Sequence, residues 1–130
     1  MTSGLLERRE AGSAVAEFAL VAAIVCLMFG AVLQLGYALH VRNTVTAHVI
    51  EGARVAARAD AGPGDGVART RELLATTLPG RGAPQVSVTR AVVGGVQVVQ
   101  VSADFALPVV GPWGVPGTMT VTGQAFAEDQ

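Results

Sequence analysis

The sequence has no lysine, and Cys26 is the only cysteine in 130 residues. One cysteine excludes an intramolecular disulfide framework and any Cys-rich zinc or iron–sulfur site. Nine arginines against ten acidic residues leave a net charge of −1, so no global basic field draws the chain to nucleic acid. Charged residues make up only 15% and aromatics 5%, while 51% are hydrophobic, which excludes intrinsic disorder of the whole chain. The length suffices for one packed domain and falls short of two. No P-loop, nucleophile elbow, HExxH or dinucleotide fingerprint is present, so the chain is expected to be no enzyme and to need no cofactor. His40 and His48 stand eight apart with no carboxylate or cysteine between them at ligand spacing; packing or interfacial roles are expected, and no metal site. Asp60 and Asp65 flank a glycine-rich stretch and read as turn or cap residues.

The apolar residues are concentrated. From Phe18 to Leu39 run 22 residues without a charge, with Gln34 the one strongly polar side chain. A helix of that length covers roughly 33 Å, enough to cross a hydrocarbon core of about 30 Å. Only a helix satisfies every backbone group in lipid, so the solvent dictates the secondary structure. Gly30 and Gly36 fit a membrane helix, where small residues allow close packing, and Cys26 reads as inert packing. Two other readings exist. A buried core helix would be shorter than this run. A cleaved secretory signal has a possible small-x-small site at Gly36-Tyr37-Ala38, but the run exceeds a normal h-region and Met1–Gly12 balances Arg8 and Arg9 with Glu7 and Glu10.

Glu17 sits at the mouth of this run. An unpaired carboxylate there costs several kcal/mol if fully inserted, whereas one at the interface simply favours the helix N-terminus. The string Gly12-Ser13-Ala14-Val15-Ala16-Glu17-Phe18 resembles the processing site of type IV pilins and pseudopilins. The resemblance implies cleavage by a prepilin peptidase between Gly12 and Ser13, with Glu17 becoming the fifth residue of the mature chain. Phe18 directly after the glutamate is similar to the tight-adherence (Tad) branch. Cleavage would free an amine at Ser13, four residues from Glu17, and pairing in low dielectric would offset the burial cost. In pilins such pairing registers one subunit against the next, a role the resemblance assigns here to Glu17.

Beyond the span, Val41, Val45, Val49, Gly52, Val55, Ala56 and Ala59 keep helical spacing on one narrow apolar face, and Glu51 reaches Arg54 at i+3. One helix is therefore expected from about Ser13 to about Ala61, ended by the Gly-Pro-Gly stretch 61–66. A short second helix follows over Val67–Leu78, broken by 79–84. Then Val86 and Val88 alternate with polar residues up to a hairpin turn at Gly94-Gly95. In the next strand Val96 and Val98 face one way, but Val99, Val101, Ala103 and Phe105 face the other, which calls for a bulge or for burial on both faces. Residues 106–117, with three prolines, read as a loop in which Trp113 either tacks the loop to the core or anchors at a membrane interface. A last strand is expected over Met119–Ala127 with Met119 and Val121 inward.

The sequence thus predicts an α+β chain: an N-terminal transmembrane helix running on into an amphipathic one, a short helix, and a small three-stranded antiparallel sheet. That layout resembles the TadE/TadF minor pseudopilins; only 12–18 is motif-like, and the rest of the likeness is architectural. The leader is less basic than the family's, and the C-terminal part has no cysteine pair of the kind some pilins carry. The expected organisation is a leader at 1–12, a transmembrane helix at 13–39 and an extracytoplasmic domain at 40–130. The resemblance implies a prepilin peptidase, other pilin or pseudopilin subunits, the pilus assembly machinery and the lipid bilayer as partners. It places a single-pass protein in the cell membrane with its N-terminus cytoplasmic. Arginines stand on both sides of the span (Arg8 and Arg9; Arg42, Arg54 and Arg58), so charge alone gives no orientation. The alternative is a generic single-pass membrane protein whose outer domain binds a ligand or partner.

Overall fold

The computed structural model describes residues 3–80, 84–106 and 117–127, with side chains from Gly12 onward. Trp113 and most of the expected loop lie outside the described residues. Two helices precede three strands: α1 is Ser3–Ala57, α2 Pro63–Thr77, β1 Gln85–Val93, β2 Val96–Ala106 and β3 Thr118–Phe126. The α+β layout expected from the sequence is what the chain forms. Two compact units divide at Gly36/Tyr37.

In the first unit, α1 carries the apolar run. Its most hydropathic 18-residue window averages 2.5 and has no buried residue, so the large apolar side chains from Phe18 to Leu35 face outward on all sides. In water that surface would be untenable; in hydrocarbon it is the favourable one. The helix begins ten residues before the expected Ser13 because nothing from Ser3 to Gly12 breaks it: the segment has no proline, and its two glycines are tolerated singly.

In the second unit, Val41, Val45, Val49 and Ala53 of α1 recur every four residues and are all fully buried. They meet Leu74 of α2 and Val86, Val101, Ala103 and Val121 of the sheet in one core. Ala56, Ala57 and Val99 form a second, smaller cluster. Of the expected apolar face Val41, Val45, Val49, Gly52 and Ala56 are buried, but Val55 is half-buried, Ala53 is buried instead, and α1 stops at Ala57 rather than near Ala61. There the chain turns: the Arg58 guanidinium donates to both oxygens of Asp60, at 3.1 and 3.0 Å, and the Ala61 amide bonds back to the Arg58 carbonyl. The ion pairs among the described residues join Arg58 to Asp60 and Arg69 to Glu72; the expected Glu51–Arg54 pair is absent from them.

The stretch read as a break at 61–66 is only half a break. Extended Gly62 is the N-cap of α2, Pro63 is its first residue, and the Asp65 carboxylate accepts the Gly62 amide at 2.7 Å. Proline suits the first helical turn, where its missing N–H is not needed, and an acid at the third position satisfies an orphan donor. So α2 starts four residues before the expected Val67.

The sheet has order β1-β2-β3, antiparallel throughout. Gly94 and Gly95, with φ of 61° and 82°, form the two-residue turn that sets Val93 opposite Val96. Pairing runs one-to-one from Val93/Val96 to Gln85/Asp104, so there is no bulge. The phase change at Val98-Val99 is burial on both faces instead: Val99 lies against α1, and Val98, 5% exposed, lies on the opposite face between its cross-strand partners Ala91 and Phe126. Val121 and Met119 face the core as expected.

Candidate assembly and processing site

The residues singled out for processing lie in the first unit. Gly12, Ser13, Glu17 and Phe18 all belong to α1 and are all exposed. A spacing of four places Ser13 and Glu17 on one helix face, and the Ser13 hydroxyl donates to Glu17 Oε1 at 3.0 Å. Phe18 follows about 100° further round the helix and is 75% exposed. The structure thus brings Ser13 and Glu17 together and leaves Phe18 pointing elsewhere. A Cβ added at Gly12 would meet open space, so its lack of a side chain serves no packing contact. Its helix-weakening effect, about 1 kcal/mol relative to alanine, acts at the bond expected to be cut.

Among the described residues the Glu17 carboxylate has one hydroxyl donor and no cation. It is a poor arrangement for insertion into lipid and a good one for capturing an amine. An amine freed on Ser13 would sit on the residue that already touches Glu17, and the same carboxylate is equally open to an adjacent helix.

The second unit holds α1 in place through contacts without large side chains, and most of these were not foreseen from the sequence. Gly52 packs where a Cβ would run into Thr70 Oγ1 and the Gly66 carbonyl, and a Cβ on Gly66 would strike Ala56 and the Gly52 carbonyl. Thr70, fully buried, donates its hydroxyl to the Gly66 carbonyl at 2.9 Å. On the other side, Gly123 of β3 lies against the backbone of Val49 and Ile50. The available signals were Gly52/Ala56 and Gly66/Thr70, two small-residue pairs at i, i+4, and a glycine inside a strand, which marks close backbone approach. His48 Nε2 meets Thr77 Oγ1 at 2.9 Å, tying α1 to α2. Because the Thr77 hydroxyl donates to the Leu73 carbonyl at 2.8 Å, it accepts from His48, which puts the proton of a neutral ring on Nε2. Burial, and then the nearby Arg69 guanidinium, hold this imidazole below its ordinary value of 6.5. His48 is therefore a packing histidine, and His40 is exposed.

A groove of about 710 Å³ opens between the C-terminal part of α2 and one end of the sheet. Leu74, Leu78 and Phe105 line it, with Arg71 and Asp104 as its charged members. No group of three or more histidine, cysteine, aspartate or glutamate side chains converges among the described residues.

Comparison with known proteins gives a family match. Residues 12–54 fit the family described as TadE-like protein, a stretch that opens on Gly12, takes in Ser13, Glu17, Phe18 and the whole apolar run, and ends at Arg54. No curated protein and no solved structure matches the chain. The matched stretch is α1 alone, without α2 or the sheet. Over residues 12–54 this chain is therefore similar to the TadE-like family, and its N-terminal helix is long and apolar enough to cross a membrane.

Proposed function

We propose that the chain is a minor pseudopilin-like subunit of a Tad-type pilus system, cut after Gly12 by a prepilin peptidase and acting by assembly rather than catalysis. The observation that carries this reading is the Ser13–Glu17 contact at 3.0 Å, at the head of the charge-free run from Phe18 to Leu39 of α1. In this reading the peptidase cuts at the glycine that least favours the helix, and the new Ser13 amine pairs with Glu17 of its own or a neighbouring helix. An unpaired carboxylate entering the bilayer costs several kcal/mol, so the pair stabilises one register of packed helices over others. The leader is on the cytoplasmic side and the domain from residue 40 onward outside. Other pilin or pseudopilin subunits and the assembly machinery are the partners.

The test compares Glu17→Ala and Glu17→Gln with the parent in native membranes. Membrane insertion is expected to be unchanged in both, while co-purification with the other subunits falls at least tenfold. Normal co-purification of Glu17→Ala would remove the registering role. One observation favours a second reading, a bitopic protein that binds a ligand in its outer domain: the groove beside Leu74 and Phe105, with Arg71 to orient a polar group.

A further inference from the structure

The groove beside α2 has an apolar floor and one charged end. Arg71, Leu74 and Ala75 of α2 and Leu78 at its C-cap stand at i, i+3, i+4 and i+7, the spacing of a single helix face, and all four line the groove. Val45 of α1 and Phe105 of β2 complete the floor. Val45 and Leu74 are buried members of the main core, and Leu78 and Phe105 pack against it, so the fold itself holds this floor in place. A preformed concavity of about 710 Å³ is of the size that takes a small molecule.

Arg71 is the member without a structural role. An arginine on a helix can pair with an acid three or four positions away, but around Arg71 those positions are Val67, Ala68, Leu74 and Ala75. The adjacent Glu72 is bonded to Arg69 at 3.0 Å. Asp104, the acid that lines the groove, is engaged by Thr120, its cross-strand partner on β3. Among the described residues the Arg71 guanidinium therefore has no ion pair. The groove presents one uncompensated cation, from which an apolar wall runs about 10 Å along the helix to Leu78.

We propose that this groove binds an aliphatic monocarboxylate, with its head on Arg71 and its chain along Leu74, Leu78 and Phe105. The proposal names the ligand of the second reading above and rests on the groove taking a ligand at all; it is independent of cleavage at Gly12. The planar guanidinium offers two parallel N–H donors to the two oxygens of a carboxylate, a match that a neutral or cationic head does not reproduce. One cation balances the single charge of a carboxylate, whereas a phosphate monoester carries more. The chain follows by elimination. An extended peptide would lay backbone N–H and C=O groups on Leu74, Leu78 and Phe105, whose side chains offer no hydrogen-bond partner, and peptide groups left unbonded in apolar surroundings are costly. A hydrocarbon chain has no such groups and gains from burial along its whole length.

The test uses the full chain in nanodiscs of zwitterionic lipid. Two photoreactive probes of equal length, octanoic acid and octanol each with a diazirine on the chain, are compared at neutral pH, and labelled residues are located by mass spectrometry. Label on the apolar run of α1 reports probe dissolved in the bilayer and serves as the reference. Relative to it, the acid is expected to label segment 74–78 at least tenfold more than the alcohol does. Arg71→Gln should bring the acid down to the level of the alcohol, and Arg71→Lys should keep part of the excess, because it restores the charge without the fork. Arg71 is exposed and outside the core, so both variants should keep the parent's far-ultraviolet spectrum. Equal labelling by acid and alcohol at 74–78, or acid labelling that survives Arg71→Gln, would overturn the carboxylate while leaving the groove a ligand site. Label confined to α1 for both probes would overturn the proposal and the second reading together, and would give the groove to a protein segment of this chain or of a second copy.

Discussion

Adding one methyl group at Gly52 sets two effects of opposite sign against each other. Glycine in a helix interior costs about 1 kcal/mol relative to alanine, so Gly52→Ala would stabilise α1 if space allowed. It does not. The new Cβ would overlap the Thr70 hydroxyl and the Gly66 carbonyl, both buried at the α1–α2 crossing and bonded to each other at 2.9 Å. Neither is the free end of a flexible chain. Overpacking of this kind costs about 1–3 kcal/mol, and displacing the hydroxyl forfeits a buried hydrogen bond worth about 1 kcal/mol. The net expectation is destabilisation by about 1–3 kcal/mol, or a fall in Tm of at least about 4 °C for a domain of this size. Gly64→Ala, where a Cβ meets nothing within 4 Å, is the counterpart and should raise Tm slightly. Thermal unfolding of the full chain in mild detergent, followed through the strand signal, reads both. Gly52→Ala/Thr70→Ala should recover part of the loss, since the two side chains compete for one space. A Tm for Gly52→Ala equal to or above the parent would refute the close crossing.

Three further outcomes follow from the same geometry. Because the folded-state imidazole of His48 titrates below 6.5, the unfolded chain takes up its proton first as pH falls. Stability should therefore drop from pH 6.5 downward until the folded-state pKa is passed, and His48→Gln should flatten the Tm profile between pH 5 and 7. Gly95→Val places a β-branched residue at a φ of 82°, which should cost at least about 1–2 kcal/mol and lower Tm by several degrees. Gly12→Leu replaces the residue at the expected scissile bond where the structure has room for a side chain, so folding should be unaffected while the uncut form accumulates on a denaturing gel.

How much of this was legible in the sequence depends on the kind of signal. Long, strongly periodic features read correctly: the apolar run, the four-residue repeat from Val41 to Val49, and the Gly94-Gly95 turn each follow from a local rule with one outcome. Boundaries read less well where one residue type has two meanings. Gly62 and Pro63 read as the end of one helix, yet they equally suit the start of the next, and the Asp65 carboxylate decides between the two. The Val98-Val99 phase change allowed a bulge or a doubly buried strand, and only the cross-strand neighbours Ala91 and Phe126 resolve it. At the candidate site the Gly12–Phe18 spacing was visible, and helix geometry alone places Ser13 beside Glu17. The Gly52–Thr70 and Gly123–Ile50 approaches join residues distant in sequence, so no local pattern could pair them.

The central claim is that this chain is cut between Gly12 and Ser13 to make an assembly-competent subunit. The intact mass and N-terminal sequence of the protein recovered from its native membranes test it most directly. The account predicts a chain beginning at Ser13, with Glu17 as its fifth residue. A chain beginning at Met1 or Thr2 would contradict it in favour of an unprocessed membrane protein, and a start near Leu39 would contradict it in favour of a conventional signal peptide.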